Sequence, residues 1–124
     1  MSDQSLVFVV DDDIGMLKSL QRLLRRYGYD SELFGSAEAF EACDALDRAI
    51  CVVLDVQLNG KSGIEIRHRL IDAGISLPVI YITGNDNPAT REAALQSGCL
   101  AYLTKPFSAE ALAANLRRAS AVMA

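Results

Sequence analysis

Short apolar runs alternate along the whole chain with longer stretches of helical spacing. The runs are rich in β-branched residues and occur five times, at Leu6–Val10, Tyr29–Phe34, Ile50–Leu54, Pro78–Ile82 and Leu100–Leu103. Between them apolar residues recur three or four positions apart, as Leu17, Leu20 and Leu24 do after the first run. Five repeats of a strand followed by a helix predict an α/β fold, with a parallel sheet covered by helices on both faces.

Differences among the apolar runs predict where each strand lies in the sheet. The first, third and fourth runs are almost uninterrupted, which is typical of central parallel strands. In the second run, Asp30 and Glu32 interrupt the apolar residues, so we predict an edge strand. Ser36 and Ser108 each precede a helical stretch with an early glutamate, and we expect both hydroxyls to cap helices.

Composition limits the chain to one domain of ordinary size. With 124 residues, 51% of them apolar, and no linker or repeat, residues 1–124 are expected to form a single compact unit. The net charge of −4 argues against direct nucleic-acid binding and against adsorption to an anionic membrane by this domain.

The same sequence favours a cytoplasmic protein. Met1 to Ser5 lacks the charged and apolar regions of a secretory signal, and no apolar run approaches the ~20 residues that span a bilayer. Cys43, Cys51 and Cys99 form no CxxC pair and are odd in number. We therefore expect free thiols, buried in the case of Cys51 and Cys99.

Candidate chemistry follows the apolar runs, where open α/β sheets place their sites. Asp11, Asp12 and Asp13 follow the first run, Asp55 the third, Thr83 the fourth, and Lys105 closely follows the fifth. Carboxylates brought together repel one another unless a cation lies among them, and all-oxygen ligands favour Mg²⁺. A carboxylate of the group is a potential nucleophile toward phosphorus, while the metal, Lys105 and the Thr83 hydroxyl each hold a phosphoryl oxygen.

These motifs, taken together, resemble those of a known family. The matching pieces are Val10-Asp11-Asp12-Asp13, Asp55 with Gly63 eight residues later, Ile82-Thr83-Gly84 and Lys105-Pro106-Phe107. In order and interval they resemble the receiver domain of two-component response regulators, nearest to the nitrogen-fixation and LuxR-associated regulators. The resemblance covers essentially the whole chain and implies a flavodoxin-like, doubly wound five-stranded parallel sheet of order 2-1-3-4-5 with five helices.

The resemblance implies a role for each matching position. Asp55 would be the phosphoacceptor, with Asp12 a direct Mg²⁺ ligand, Asp11 a ligand mainly through water, and the Gln57 carbonyl a further ligand. Thr83 and Lys105 would hold the phosphoryl group.

Other positions would carry the switch and tune its lifetime. A cis peptide would join Lys105 to Pro106, and Tyr102 would turn inward when Thr83 moves. Gln57 and Asn85 would set how long the phosphoryl group lasts. The chain departs from the family after Asp55, where Leu58-Asn59-Gly60-Lys61 replaces the usual Met-Pro pair. Asn59-Gly60 is itself a turn pair, so we expect the loop to reverse there.

The implied protein is a switch that catalyses only its own phosphoryl transfer and autodephosphorylation. Its partner would be a sensor histidine kinase or a phosphotransfer protein. Phosphorylation would change the face formed by the fourth helix, fifth strand and fifth helix, roughly residues 89–119, through which a homodimer could form. The output would be an attached domain or a partner protein.

Rival interpretations remain for individual residues and for the whole chain. Asp13 could simply cap the first helix, Tyr102 could only pack at the sheet edge, and His68 is expected to face solvent. Asp11 and Asp13 also fit the Asp-x-Asp of a haloacid-dehalogenase-like phosphohydrolase, as nucleophile and general acid, although paired late acids are missing. A flavodoxin-like nucleotide binder is less compatible, because three aspartates would repel a phosphate.

Overall fold

The computed structural model describes residues 5–123. Met1 to Gln4, which bear on the predicted lack of a secretory signal, and Ala124 lie outside the described residues. The elements in chain order are β1 (Leu6–Val10), α1 (Ile14–Arg26), β2 (Asp30–Phe34), α2 (Ala37–Glu41), a 3-10 helix (Leu46–Arg48), β3 (Cys51–Asp55), β4 (Gln57–Leu58), β5 (Lys61–Ser62), α3 (Gly63–Asp72), β6 (Val79–Thr83), α4 (Pro88–Gln96), β7 (Ala101–Thr104) and α5 (Ala109–Met123).

The five long strands form one parallel sheet in the order β2-β1-β3-β6-β7. Since β4 and β5 pair only with each other, this is the predicted order 2-1-3-4-5, and the predicted flavodoxin-like fold is confirmed. Every residue of β1, β3 and β6 is buried, as their apolar sequences require. The edge position predicted for β2 is also confirmed, with Asp30 exposed.

Helices cover both faces of the sheet and bury a core on each. Alternate residues along β1 point to opposite faces, so Phe8 lies in one core and Val9 in the other. The Phe8 core includes Phe40 of α2, Ile66 of α3 and Ala94 of α4. The second core is built on α1 and α5; its helical residues include Leu17, Leu20, Leu24, Leu112, Leu116 and Ala119.

Helix starts confirm the predicted caps. The Ser36 hydroxyl accepts from the amide of Ala39 at 3.0 Å, and the Ser108 hydroxyl accepts from the amide of Ala111 at 3.0 Å. Asp13 caps α1 by accepting from the amides of Gly15 and Met16, which is the structural role left open for it above.

Three strand ends extend beyond the predicted apolar runs. Asp55, Thr83 and Thr104 are the last residues of β3, β6 and β7, whereas the sequence pattern placed them just after the strands. The parallel ladder continues past the apolar residues, and Asp55 lies opposite Ile82 within it. Asp55 and Thr83 therefore stand on the sheet itself, whereas Asp11, Asp12 and Lys105 lie just beyond it.

The short β4–β5 hairpin was predicted only as a turn. Its strands pair Gln57 with Ser62 and Leu58 with Lys61 in antiparallel register. Asn59 (φ 48°) and Gly60 (φ 81°) both have left-handed backbones, the combination that an Asn-Gly pair provides in two-residue hairpins. No helix within residues 5–123 has the length and apolar character needed to cross a membrane.

Candidate functional site

The predicted residues meet in one open cleft at the carboxyl edge of the sheet. Asp11 and Asp12 follow β1, Asp55 ends β3, and Lys105 follows β7; the lining also includes Asp13, Gln57, Asn59, Gly60, Gly84 and Asn85. Four chain segments far apart in sequence thus contribute to it. The convergence predicted from strand ends is what the fold produces.

Lys105 lies between two buried carboxylates. Its Nζ donates to Asp55 Oδ2 at 3.0 Å and to Asp11 Oδ2 at 3.2 Å. Burial lowers the pKa of Lys105, but the hydrogen bond to Asp55 and the charges of Asp55 and Asp11 outweigh it, so the pKa is raised. Lys105 therefore remains a cation that partly neutralises the cluster.

The negative charge of Asp11 is unfavourable in its buried position. Its side chain is fully buried, and burial raises its pKa above the ordinary value of 3.8. The amide of Asp13, which donates to Asp11 Oδ1 at 2.9 Å, acts in the opposite direction, while the charge of Asp55 adds to the rise. An additional cation near Asp11 would relieve this cost.

Backbone amides fix one oxygen of each cluster carboxylate. Asp13 N donates to Asp11, Gln57 N donates to Asp55 Oδ1 at 2.9 Å, and Asn59 N donates to Asp12 Oδ2 at 3.0 Å. The Asx-type bonds on Asp11 and Asp55 are local, spanning two residues. The bond from Asn59 to Asp12 spans 47 residues and joins two loops.

The donor set suits a hard divalent cation. One carboxylate oxygen from each of Asp11, Asp12 and Asp55 lies within 4.8 Å of the other two. Oxygens bound to a common Mg²⁺ lie about 2.1 Å from the ion, so carboxylates this close together could share one ion directly or through its waters. Their all-oxygen chemistry fits Mg²⁺ rather than a thiophilic metal.

Thr83 lies beside the cleft and connects it to the loop before α4. Its side chain is buried, and its hydroxyl oxygen accepts from the amide of Asn85 at 3.1 Å. The next residue, Asp86, accepts from the Tyr102 hydroxyl at 2.9 Å and forms a 2.7 Å ion pair with Arg91 of α4. One short loop thus contacts both the site and the β7 aromatic.

Tyr102 is held from two sides. The Arg91 guanidinium lies 5.0 Å from the centre of its ring, and Asp86 accepts from its hydroxyl. Burial, together with the hydrogen bond and charge of Asp86, raises the pKa of Tyr102 to about 12. Tyr102 packs against the core, yet its polar end belongs to this ionic group.

Sequence reasoning missed three contributors to this region. The Asn59 amide was hidden because main-chain donors carry no residue signature, although the Asn-Gly turn pair was a signal that the chain reverses there. The sequence pattern singled out neither Asp86 nor Arg91 as part of this region. Their spacing of five residues across a helix start does not mark an ion pair.

The remaining predicted residues lie as follows. The peptide bond between Lys105 and Pro106 is cis, as the resemblance implied. His68 is exposed, Cys51 is buried and Cys99 is half-buried, with all three thiols free. Asp11 is less suited than Asp55 to attack an exogenous phosphomonoester, because its side chain is fully buried whereas that of Asp55 keeps some exposure to the cleft.

Comparison with known sequences gives one consistent family. A family model described as the response regulator receiver domain matches residues 7–117. Nodulation protein W of Bradyrhizobium diazoefficiens is 39% identical over 106 residues, which is 86% of this chain and 47% of that protein. The chain spans about half the length of the curated relatives that it matches.

Solved structures give the same fold. The crystal structure of FixJ-N superposes with a TM-score of 0.85 at 30% identity, covering 98% of this chain and 96% of that one. A response regulator from Burkholderia pseudomallei, solved with a phosphorylated aspartic acid, a calcium ion and citrate, gives a TM-score of 0.79 at 27% identity, covering 96% and 71% of the two chains. None of these matches supports a haloacid-dehalogenase-like enzyme.

Proposed function

The chain belongs to the response regulator receiver family of two-component systems, and from that premise we propose that Asp55 is its phosphoacceptor and that Mg²⁺ is bound by Asp11, Asp12, Asp55 and the Gln57 carbonyl. The observation that carries the proposal is the 3.0 Å contact between Lys105 Nζ and Asp55 Oδ2 beside the acidic cluster. It puts one carboxylate within reach of both a cation-binding group and a fixed ammonium. The phosphorylated aspartate in the Burkholderia relative supports the same chemistry.

Asp55 is suited to attack phosphorus. It ends a central strand, so its position is fixed, and the cleft above it is open. In the transfer, a carboxylate oxygen of Asp55 forms a bond to phosphorus while the bond from phosphorus to the donor's nitrogen or oxygen breaks, and the donor leaves with that electron pair. Lys105 neutralises charge on one phosphoryl oxygen, and the Thr83 hydroxyl donates to another.

The metal would supply charge neutralisation for the phosphoryl oxygens. The chain's own residues prepare the site for it. Asp11 and Asp12 bring two carboxylates to Asp55, while Lys105 balances part of their charge until a cation arrives. Gln57, whose amide donates to Asp55 Oδ1, would add its carbonyl as a further ligand.

We propose that the signal leaves the site through Thr83. Movement of its hydroxyl toward a phosphoryl group would withdraw the acceptor of the Asn85 amide and disturb the adjacent Asp86. Since Asp86 holds Tyr102 and Arg91, the change reaches the face formed by α4, β7 and α5. Phosphorylation would bias this equilibrium and could favour a homodimer through that face.

The chemistry of the phosphoryl donor indicates which proteins this domain would meet. A sensor histidine kinase or a phosphotransfer protein is proposed as the phosphoryl source, and residues 1–124 as a single receiver domain acting in the cytoplasm. The output, an attached domain or a separate protein, is regulated through the changed face. The domain's own acidic charge supports no direct role in nucleic-acid binding.

The experiment is incubation with acetyl phosphate and Mg²⁺ followed by intact-mass measurement. We expect a gain of one phosphoryl unit that is absent in Asp55→Asn and absent when Mg²⁺ is omitted. Asp72→Asn, on the exposed end of α3, is the matched acid-to-amide control and should behave as wild type. Phosphorylation of Asp55→Asn, or steady turnover of a generic phosphomonoester, would reject the proposal.

A further inference from the structure

We propose that the β4–β5 hairpin is a positioning device for the metal site, and that its turn presents the Asn59 amide to orient Asp12 toward the cation. The inference rests on the proposed function, since it assigns Asp12 to the metal. It concerns a loop in which this chain departs from the pattern of the family it resembles. Asn59 is a positioning residue here, acting through Asp12 and through its main chain alone.

The orientation of the Asp12 side chain depends on a single hydrogen bond, whereas the side chains of Asp11 and Asp55 each accept two. Asp11 and Asp55 are buried, and each accepts from both a nearby amide and Lys105. Asp12 is the more accessible of the three, and among the described residues its side chain accepts only from Asn59 N. That bond is the one hydrogen bond by which the described residues restrict the Asp12 rotamer.

The bond leaves the other Asp12 oxygen available. Asn59 N donates to Oδ2, and a carboxylate held through one oxygen keeps Oδ1 and further lone pairs for a cation. A hydrogen bond of this kind restricts the orientation of a ligand before the metal arrives, as outer partners of metal sites commonly do.

The turn geometry makes the donor possible. Asn59 and Gly60 both have positive φ, which reverses the chain in two residues, and the Asn59 amide donates to Asp12 in the loop before α1. A substitution that disfavours positive φ would therefore move the donor without touching Asp12. Gly60 is a suitable position for such a substitution, because a side-chain carbon there would meet no atom within 4 Å.

The hairpin is anchored to the sheet, so the donor has a fixed place. Leu58 is buried in the core, and the amide of Gly63 donates to the Val56 carbonyl at 2.8 Å, closing the base of the loop. Lys61 adds a 2.7 Å ion pair with Glu38 of α2 at the surface. A loop held at both ends transmits its geometry to Asp12.

The test compares two glycines with the same backbone requirement. Gly60 (φ 81°) and Gly74 (φ 73°) both have open space where a side chain would go, but only Gly60 belongs to the hairpin. Gly60→Val and Gly74→Val should lose similar amounts of stability. In unphosphorylated protein, calorimetric titration with Mg²⁺ should show an affinity about 10-fold weaker for Gly60→Val and unchanged for Gly74→Val.

A third variant separates the main chain from the side chain. Asn59→Gly keeps the amide and tolerates the positive φ, so it should bind Mg²⁺ as wild type does. Weaker binding by Asn59→Gly would overturn the inference, because it would assign the effect to the side-chain amide. Equal affinity of Gly60→Val and wild type would also overturn it.

A further measurement does not depend on the folding of Gly60→Val. In metal-free wild type, the Asn59 amide should resist hydrogen exchange, and Asp12→Ala should remove that protection while leaving the Gly63 amide protected. Unaltered Asn59 exchange in Asp12→Ala would contradict the bond. Failure of wild type itself to bind Mg²⁺ would instead reject the proposed function, so the two outcomes are distinct.

Discussion

Gly63 lies so close to Asp55 that a side-chain carbon on Gly63 would be 2.3 Å from the Asp55 carbonyl oxygen. The same glycine donates its amide to the Val56 carbonyl and begins α3, with Ser62 as the cap. The spacing of eight residues between Asp55 and Gly63 thus has a steric cause. The loop must return to the strand it left, and only a residue without a side chain fits there.

Gly63→Ala is therefore expected to destabilise the protein by about 1–3 kcal/mol, because backbone must move to admit the methyl group. Urea unfolding measures the change. Gly35→Ala is the control: a side-chain carbon there meets nothing within 4 Å, and its effect should stay within about 0.5 kcal/mol. Equal stability of the two variants would contradict the steric explanation.

Asp11→Asn should stabilise the metal-free protein and weaken Mg²⁺ binding. Burial raises the pKa of Asp11, so its charge at neutral pH costs folding free energy that an amide does not incur. We expect a gain of about 1 kcal/mol in chelator-treated protein, measured by urea unfolding. Asp13→Asn, which preserves a helix cap, should leave stability nearly unchanged; a loss of stability in Asp11→Asn would count against the electrostatic account.

Exchanging Gln57 or Asn85 for alanine should change the phosphoryl lifetime without abolishing phosphorylation. Both residues line the cleft beside Asp55, where we expect their side chains to affect the approach of water to phosphorus. The decay of the phosphorylated mass after removal of acetyl phosphate should change severalfold. Gln96→Ala, on the exposed side of α4, provides the control, and unchanged decay in both cleft variants would dispose of this role.

Burial and then Asp86 raise the pKa of Tyr102 to about 12, so Asp86→Asn should lower this pKa part of the way toward 10, because the neighbouring negative charge is removed while burial remains. The raised pKa means that the folded state holds its proton more tightly than the unfolded state. Tyr102 therefore contributes stability that is present below pH 10 and lost as pH rises toward 12.

Carbon-13 labelling of the tyrosine rings and titration by NMR follow Tyr102 directly. Glu92→Gln is the control. Glu92 lies on α4 and accepts a hydrogen bond from Gln96 rather than from Tyr102, so this variant should leave the pKa of Tyr102 unchanged. An unshifted Tyr102 titration in Asp86→Asn would show that Asp86 does not hold the hydroxyl in solution.

Thiol labelling should distinguish the three cysteines. Burial raises the pKa of Cys51 to about 12, and its side chain is inaccessible, so neither thiolate nor reagent is available in the native state. Cys43 and Cys99 are half-buried and should react first. Mass spectrometry of peptides after timed alkylation should find Cys51 modified only under unfolding conditions; native labelling of Cys51 at the rate of Cys43 would contradict its burial.

Much of the fold followed from the sequence because its signals are local and repeated. The uninterrupted apolar runs identified the buried strands, and the charges at Asp30 and Glu32 identified the edge. Strand ends were wrong by one residue at Asp55, Thr83 and Thr104, since a parallel ladder accepts polar residues at its end as readily as apolar ones. The strand order came from the family resemblance rather than from the pattern.

The site was predictable as far as it depends on side chains at strand ends. Asp11, Asp55 and Lys105 converge because the fold brings those ends together, and their motifs are visible in the sequence. The roles of the Asn59 amide and of the ion pair between Asp86 and Arg91 could not be predicted from the sequence. A main-chain donor and an ion pair between a loop and a helix depend on how the chain folds in three dimensions.

The position of Asp55 inside the central ladder separates the fixed parts of the switch from the parts able to move. Neighbouring strands flank β3 on both sides, so if Asp55 is phosphorylated as proposed, the added charge would not be relieved by a shift of its backbone. We expect the loops that begin beyond the sheet at Gly84 and Lys105 to take up the response instead. The sheet would thus hold the modified residue in place, and only the loops at its carboxyl edge would change conformation.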